Sequence, residues 1–160
     1  MKIFFLRHGE AGDRATWKGD DFERPLTEDG VLRMKREAKA IKALDLEIEA
    51  IVTSPLVRAK QTAEIVAKAL KLKDRLIEDP DLGLDFSSML LDRILRKHPV
   101  VNAIMLVGHD PSMSRTIADL VGDARIVLKK GGLACVEIAD PRTLRGQLSW
   151  LVPPKVLAEK

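Results

Sequence analysis

The sequence has one cysteine, no tyrosine, and no apolar run approaching the ~20 residues that a membrane-spanning helix needs. The single thiol, Cys135, excludes an internal disulfide and any metal site built from several cysteines. The first residues also lack the charged, apolar and cleavable segments of a signal peptide. We therefore expect a cytoplasmic protein with no membrane partner.

No part of the chain concentrates charge of one sign, since 27 Lys and Arg stand against 24 Asp and Glu, for a net charge of +3. Nucleic-acid-binding proteins usually gather basic residues on one face or tail, and many stack bases on aromatic side chains. With only four phenylalanines, two tryptophans and no basic tail, we expect no nucleic-acid partner. A small anionic substrate fits the slightly basic composition at least as well.

The 160 residues suffice for one domain, and no repeat, low-complexity tract or linker divides residues 1–160. Short apolar segments alternate with segments of helical periodicity, and two consecutive strand-like segments occur near the end. This order predicts an α/β fold, a three-layer α/β/α sandwich around a mixed, mostly parallel sheet. The predicted strands are 2–6, 50–53, 75–78, 103–107, 133–138 and 147–152, and the predicted helices are 28–44, 55–70 (capped by Ser54), 88–97 and 112–121.

Three polar segments follow predicted strands at their carboxyl ends, where open α/β sheets bind their ligands. Arg7 and His8 follow the first strand, Arg58 comes shortly after the second, and His109 follows a strand that is apolar throughout. Gly9 comes directly after His8, and glycine allows a backbone or a ligand to approach closely. Each residue alone would be read as structural or solvated. Two histidines and two arginines at one edge of one sheet instead indicate a site.

Arginines and histidines without a cluster of carboxylates suit a phosphoryl group. Two guanidinium groups can hold phosphate oxygens from both sides, and a neutral imidazole can attack phosphorus and carry it covalently. A second imidazole, if protonated, stabilises the oxygen charge of the transition state. None of these groups needs a metal, so we expect no cofactor. The chain also lacks a P-loop, a dinucleotide fingerprint and the Cys-x5-Arg spacing of cysteine phosphatases.

Four motifs, in order along the chain, resemble those of the histidine phosphatase superfamily, which has the phosphoglycerate mutase-like fold. They are Leu6–Glu10, Arg24–Gly30, Thr53–Ala63 and Val107–Pro111. The resemblance implies that His8 is the phosphorylated nucleophile, that Arg7 and Arg58 bind the phosphoryl group, and that His109 completes the pocket. It also implies that one strand of the sheet runs antiparallel to the others.

Within that superfamily, the short chain most resembles the SixA-type phosphohistidine phosphatases. Larger relatives have an insertion over the site and a glutamate that acts as general acid, where this chain has Leu84. Asp85, Glu78 and Asp81 are the nearby acids that could replace it; we single out Asp85, although a solvated loop position is its default interpretation. An imidazole leaving group, with a pKa near 6.5, needs less protonation than an alkoxide. The missing glutamate therefore favours phosphohistidine.

The sequence thus predicts a metal-independent phosphatase that acts on a phosphohistidine protein, in signal transduction, or on a small phosphoester or phosphoramidate. Two alternatives remain open. One is a module that recognises a phosphorylated partner without turnover, which the missing acid supports. The other is a mutase-type phosphotransferase, which the lack of sequence for a closing cover disfavours.

Overall fold

A computed structural model describes residues 1–158, which form a six-stranded sheet covered by helices. The strands are β1 (Lys2–Arg7), β2 (Ala50–Thr53), β3 (Leu76–Glu78), β4 (Ala103–Gly108), β5 (Leu133–Asp140) and β6 (Arg145–Val152). The helices are α1 (Glu28–Ala43), α2 (Val57–Leu70), α3 (Ser88–Lys97), α4 (Ser112–Val121) and the short α5 (Pro154–Leu157). In the described part of the chain, no helix combines the length and apolar character needed to cross a bilayer.

The strand order in the sheet is β3-β2-β4-β1-β5-β6. The pairs β1–β4, β2–β4 and β2–β3 are parallel, whereas β5 pairs antiparallel with both β1 and β6. β5 therefore runs against its neighbours in an otherwise parallel sheet. This confirms the mixed, mostly parallel sheet predicted from the sequence.

Helices cover both faces of the sheet and enclose two hydrophobic cores. Phe4 and Phe5 are consecutive residues of β1, so their side chains point to opposite faces. Phe5 packs in the core formed with α3 and α4, which contribute Leu91 and Ile117. Phe4 packs in the core formed with α1 and α2, where Met34 is fully buried. The predicted three-layer sandwich is confirmed.

The start of one helix differs from the prediction. α2 begins at Val57 rather than Pro55, and Leu56 at its N-cap position makes no side-chain capping bond. Ser54 Oγ accepts a hydrogen bond from the Leu56 N–H at 3.3 Å, within the turn that precedes the helix, and also bonds His109 Nε2. The prediction that Ser54 caps a helix starting at Pro55 was therefore wrong, because a turn intervenes and frees the hydroxyl to contact a neighbouring strand end.

The strand order explains why three polar segments meet. β4 lies between β1 and β2, with Arg7 in register with Gly108 and Thr53 in register with Val107. The chain thus leaves all three strands at the same level of the sheet. The residues that follow these strands are consequently brought to one edge.

Candidate active site

A cleft of about 490 Å³ opens at this edge of the sheet. Arg7, His8, Arg58 and His109 all line it, so the structure brings together the four side chains that the sequence singled out. A larger groove of about 790 Å³, near Trp150, lies at the opposite end of β1 and contains none of the four. The smaller cleft is therefore the candidate site, because it is lined by Arg7, His8, Arg58 and His109.

His8 presents an unprotonated nitrogen. Its Nδ1 lies 2.7 Å from the carbonyl oxygen of Gly9. Because a carbonyl only accepts, Nδ1 carries the hydrogen and Nε2 keeps its lone pair. Burial lowers the pKa of His8 to about 3, and the charges of Arg58 and Arg7 act in the same direction. The ring is therefore neutral near pH 7, the form in which imidazole is nucleophilic.

Gly9 lies next to His8 but is not part of the lining of the cleft. Its N–H donates to Thr62 Oγ1 at 3.1 Å. A Cβ at Gly9 would come within 2.5 Å of Met34 Cγ, so glycine is required here for close packing against α1. The predicted role of Gly9 in contacting substrate stays a prediction, and its observed role is to hold His8 against the helix.

His109 faces His8, with the two ring centroids 5.2 Å apart and the planes inclined by 55°. His109 Nε2 lies 2.8 Å from Ser54 Oγ. That oxygen also accepts from the Leu56 N–H, and because a hydroxyl can both donate and accept, this bond is compatible with either neutral tautomer of His109. Burial lowers the pKa of His109 to about 3, and the charge of Arg58 contributes to the shift. The ring is therefore neutral near pH 7.

Arg58 is held by an aspartate that the sequence reasoning missed. Its Nη1 donates to the carbonyl oxygen of Asp21 at 2.7 Å and its Nη2 to Asp21 Oδ2 at 3.0 Å. Arg24 Nε donates to Asp21 Oδ1 at 2.8 Å. Burial alone would raise the pKa of Asp21, but the hydrogen bond from Arg24 and the charge of Arg58 hold it below its usual range. The sequence signal for this contact is Arg24, the first residue of the second motif, which bonds the same aspartate.

Arg7 is oriented by the loop 128–132, between α4 and β5. Its Nη1 donates to the carbonyl oxygen of Leu128 at 2.9 Å and lies 3.7 Å from Asp110 Oδ2. The backbone of Arg7 is also bonded to Gly131 and Gly132. The side chain is therefore fixed at its far end, while its Nε faces no acceptor among residues 1–158.

Three buried nitrogen atoms of side chains that line the cleft have no hydrogen-bond partner within the described residues. They are Arg7 Nε, Arg58 Nε and His109 Nδ1. These atoms are enclosed by protein rather than exposed to the cleft, whereas the side chains that carry them line it. A phosphoryl dianion supplies acceptor oxygens for these side chains, and the basic residues of the lining outnumber the acidic ones by five to four.

The acids considered as replacements for the missing glutamate lie elsewhere. Leu84 lines the cleft and is 47% exposed, whereas Asp85 is exposed and does not line it. Asp81 accepts a hydrogen bond from Lys97, which lowers the pKa of its carboxyl, and Glu78 pairs with a lysine of α2. None of the three candidate acids belongs to the lining of the cleft.

Comparisons with known proteins identify a family for half of the chain and a similar protein along nearly all of it. The family model for the histidine phosphatase superfamily (branch 1) matches residues 3–83, about half of the chain. Phosphohistidine phosphatase SixA of Escherichia coli (strain K12) is 27% identical over 157 residues, which cover 96% of this chain and 94% of that protein. An uncharacterized protein of Picosynechococcus sp. is 51% identical over 69 residues, which cover 43% of this chain and 41% of that protein's length.

The fold comparison extends the match to nearly every residue. The solved structure of the protein histidine phosphatase SixA complexed with tungstate aligns with a TM-score of 0.86 and 27% identity. The alignment covers 98% of this chain and 99% of that one. The predicted phosphoglycerate mutase-like architecture and the predicted similarity to SixA-type proteins are both confirmed. With the motifs, the fold and the family match in agreement, the chain belongs to the histidine phosphatase superfamily.

Proposed function

We propose that this protein is a phosphatase that hydrolyses phosphohistidine, or a related phosphoramidate or phosphomonoester, through a covalent phosphohistidine on His8. The observation that carries the proposal is the neutral His8 in a cleft lined by Arg7, Arg58 and His109. The similarity to SixA of Escherichia coli supports phosphohistidine as the substrate. The position of Leu84 in the cleft supports it further, because a leucine there cannot donate the proton that the glutamate of larger relatives supplies.

In the first step, Nε2 of His8 attacks phosphorus, and the bond from phosphorus to the leaving group breaks. The leaving group departs with the bonding electron pair. As the ring becomes positive, the Nδ1–H bond to the Gly9 carbonyl stabilises it. Arg7 and Arg58 neutralise the phosphoryl oxygens, and the N–H of His109 donates to one of them. The positions of these donors are set before the substrate binds.

In the second step, water attacks the same phosphorus, the N–P bond breaks, and its electron pair returns to Nε2. Inorganic phosphate leaves with the oxygen of that water, and the displaced proton passes to phosphate or solvent. Asp21 keeps the Arg58 guanidinium in place through both steps by accepting from two of its nitrogens. His8 is then ready for another turnover.

A second candidate function is phosphate recognition without turnover, and Leu84 is the observation that favours it. Hydrolysis and recognition are separated by measuring phosphate release from phosphohistidine, phosphoramidate, an aryl phosphate and phosphoserine, alongside tungstate binding. We expect steady release, fastest from phosphohistidine. Tungstate binding without release from any substrate would establish the binding module. Transfer between two phosphoesters without net release would establish a mutase-type transferase.

We predict that catalysis does not require a metal ion. Within residues 1–158, no group of three or more His, Cys, Asp or Glu side chains is placed to hold a metal. The arginines already supply the positive charge that magnesium provides in other phosphoryl-transfer sites. We therefore expect unchanged kcat/KM in EDTA and, in a separate assay without chelator, inhibition by vanadate, which adopts the five-coordinate geometry of the transition state. Loss of activity in EDTA that magnesium or zinc restores would contradict this.

We predict that Arg58→Lys is not a conservative change. Lysine keeps the charge but loses the planar fork, so it cannot bond Asp21 and a phosphoryl oxygen together. We expect kcat/KM for an aryl phosphate to fall ~10²-fold, or ~2.7 kcal/mol of transition-state stabilisation. The matched control is Arg96→Lys, on the exposed face of α3. Equal kcat/KM in the two variants would show that Arg58 does not contact the phosphoryl group.

A further inference from the structure

The loop 128–132 is hydrogen-bonded to both the side chain and the main chain of Arg7. It accepts from Arg7 Nη1 through the carbonyl oxygen of Leu128 at 2.9 Å, and from the Arg7 N–H through that of Gly132 at 3.2 Å. The N–H of Gly131 donates to the carbonyl oxygens of Arg7 and His8, at 3.1 and 3.2 Å. Both the guanidinium group and the main chain of the catalytic dipeptide therefore depend on this loop.

A buried carboxyl group of α1 lies directly against that loop. Glu37 is fully buried, and neither of its carboxyl oxygens has a hydrogen-bond partner within residues 1–158. Gly131 has a φ of +76°, and a Cβ at this position would overlap the carboxyl group of Glu37. Glycine is thus required at 131 both by its backbone conformation and by the glutamate beneath it. Glu37 therefore contacts Gly131, whose N–H donates to the carbonyl oxygens of Arg7 and His8.

The surroundings of Glu37 do not favour its charged form. Burial raises the pKa of Glu37 to about 7, although the charges of Arg33 and Arg36 on the same helix act to lower it. In the loop, the ammonium group of Lys130 is already bonded to Glu10 Oε1 at 2.7 Å. Lys129 is the other charged group of the loop, and Arg7 at the end of β1 is bonded at Leu128. The elements packed on α1 are α5, which carries Lys155, and α2, which carries Arg58, Lys60, Glu64 and Lys68; none of these groups is bonded to Glu37. An ionised, unpartnered carboxylate at this depth is costly, so ionisation forces a rearrangement.

We propose that Glu37 is a positioning residue that acts on Arg7 through the loop 128–132. While its carboxyl is uncharged, the loop stays seated and Arg7 faces the cleft. When the carboxyl ionises, the loop moves to admit water or a cation, and Arg7 loses its orientation toward the phosphoryl group. The activity readout of this inference rests on the proposed phosphatase function, whereas its structural readout does not.

The ionisation of Glu37 also changes the free energy of unfolding, and the direction of that change is defined. The folded-state pKa lies above the ordinary value of 4.5, so the folded protein binds more protons than the unfolded chain between pH 4.5 and about 7. The contribution of Glu37 is therefore most favourable below pH 4.5 and is lost as the pH rises through about 7. Glu37→Gln removes this pH dependence of stability and leaves the pH dependence that comes from the other titratable groups.

The test measures kcat/KM from pH 5 to 9 with an aryl phosphate, for wild type, Glu37→Gln and the exposed control Glu64→Gln on α2. We expect kcat/KM of wild type and of the control to fall about fivefold between pH 7 and 8. In Glu37→Gln this fall at alkaline pH should be absent. Glu37→Met is a second variant with no unpartnered polar atom, in case the glutamine protein does not fold. The amide resonance of Gly131 should shift with a midpoint near pH 7 in wild type and not in either Glu37 variant.

Two outcomes overturn the inference: an alkaline limb that persists in the Glu37 variants, or a Gly131 resonance that does not titrate in wild type. A third outcome separates it from the proposed function. If wild type hydrolyses no phosphoester, but the Gly131 shift is present and is abolished at Glu37, then the coupling between Glu37 and the loop stands and the phosphatase proposal fails.

Discussion

Replacing His8 with alanine should reduce kcat/KM for an aryl phosphate by about 10³-fold or more, because it removes the group that forms the covalent bond to phosphorus. The arginines and His109 would still bind the phosphoryl group, so the variant should retain affinity for tungstate or vanadate. Loss of turnover with retained oxyanion binding is the pattern expected of a nucleophile. A residue needed only for binding would lose both.

The covalent intermediate proposed on His8 can be tested directly. Wild-type protein mixed with labelled substrate should carry one phosphoryl group, detected by mass spectrometry at neutral or alkaline pH because the N–P bond is labile in acid. The matched control is His98→Ala, since His98 lies at the end of α3, outside the cleft. We expect label in wild type and His98→Ala but none in His8→Ala. Equal label in the two alanine variants would reject His8 as the nucleophile.

The elements around the site could be predicted because local signals and the tertiary fold agree. Thr27 caps α1 by accepting a hydrogen bond from the Gly30 N–H, and the acids Glu28 and Asp29 follow it in the first turn, which is a usual signal of a helix start. The uninterrupted apolar run of β4 belongs to a strand buried along its whole length. Polar residues directly after such strands were therefore placed at the correct edge of the sheet. Periodicity alone gave no strand order, and β4 between β1 and β2 is what brings His109 to His8.

The supporting residues of the site could not be found in the same way. Ser54 before proline is a normal helix-start signal, and only the intervening turn shows that its hydroxyl instead bonds His109. Asp21 lies in a single 3₁₀ turn within an irregular loop, where no periodic pattern marks it. Glu37 did leave a signal. It lies on the buried face of α1 with Met34 and Ala38, and an acid on an apolar face is informative.

The absence of a carboxylic acid at position 84 should make the rate depend steeply on the leaving group. Across aryl phosphates of graded leaving-group pKa, we expect log kcat/KM for wild type to fall steadily as the leaving group becomes more basic. Phosphohistidine and phosphoramidate should be cleaved well, and serine, threonine or sugar phosphates poorly. The physical reason is that Leu84 lines the cleft and cannot donate a proton to a departing alkoxide.

Leu84→Glu tests this explanation by supplying the missing proton. The glutamate should flatten the dependence and raise kcat/KM for alkyl phosphates by ~10²–10⁴-fold, the range of general acid catalysis. Leu84→Gln is the matched control, since it has a similar shape and polarity but no acidic proton, and it should keep the steep dependence. Asp85→Asn should also leave the wild-type dependence unchanged, because Asp85 does not line the cleft.

The interpretation requires that chemistry limits the rate, which single-turnover measurements on the same esters establish. A flat dependence in wild type that becomes steep in Asp85→Asn would contradict the prediction and identify Asp85 as the acid. A steep dependence that only Leu84→Glu flattens would show that the cleft gives its leaving group no protonation. Imidazole, with a pKa near 6.5, departs without that help, whereas an alkoxide does not. A protein phosphorylated on histidine would then be the substrate class for which this cleft is chemically sufficient.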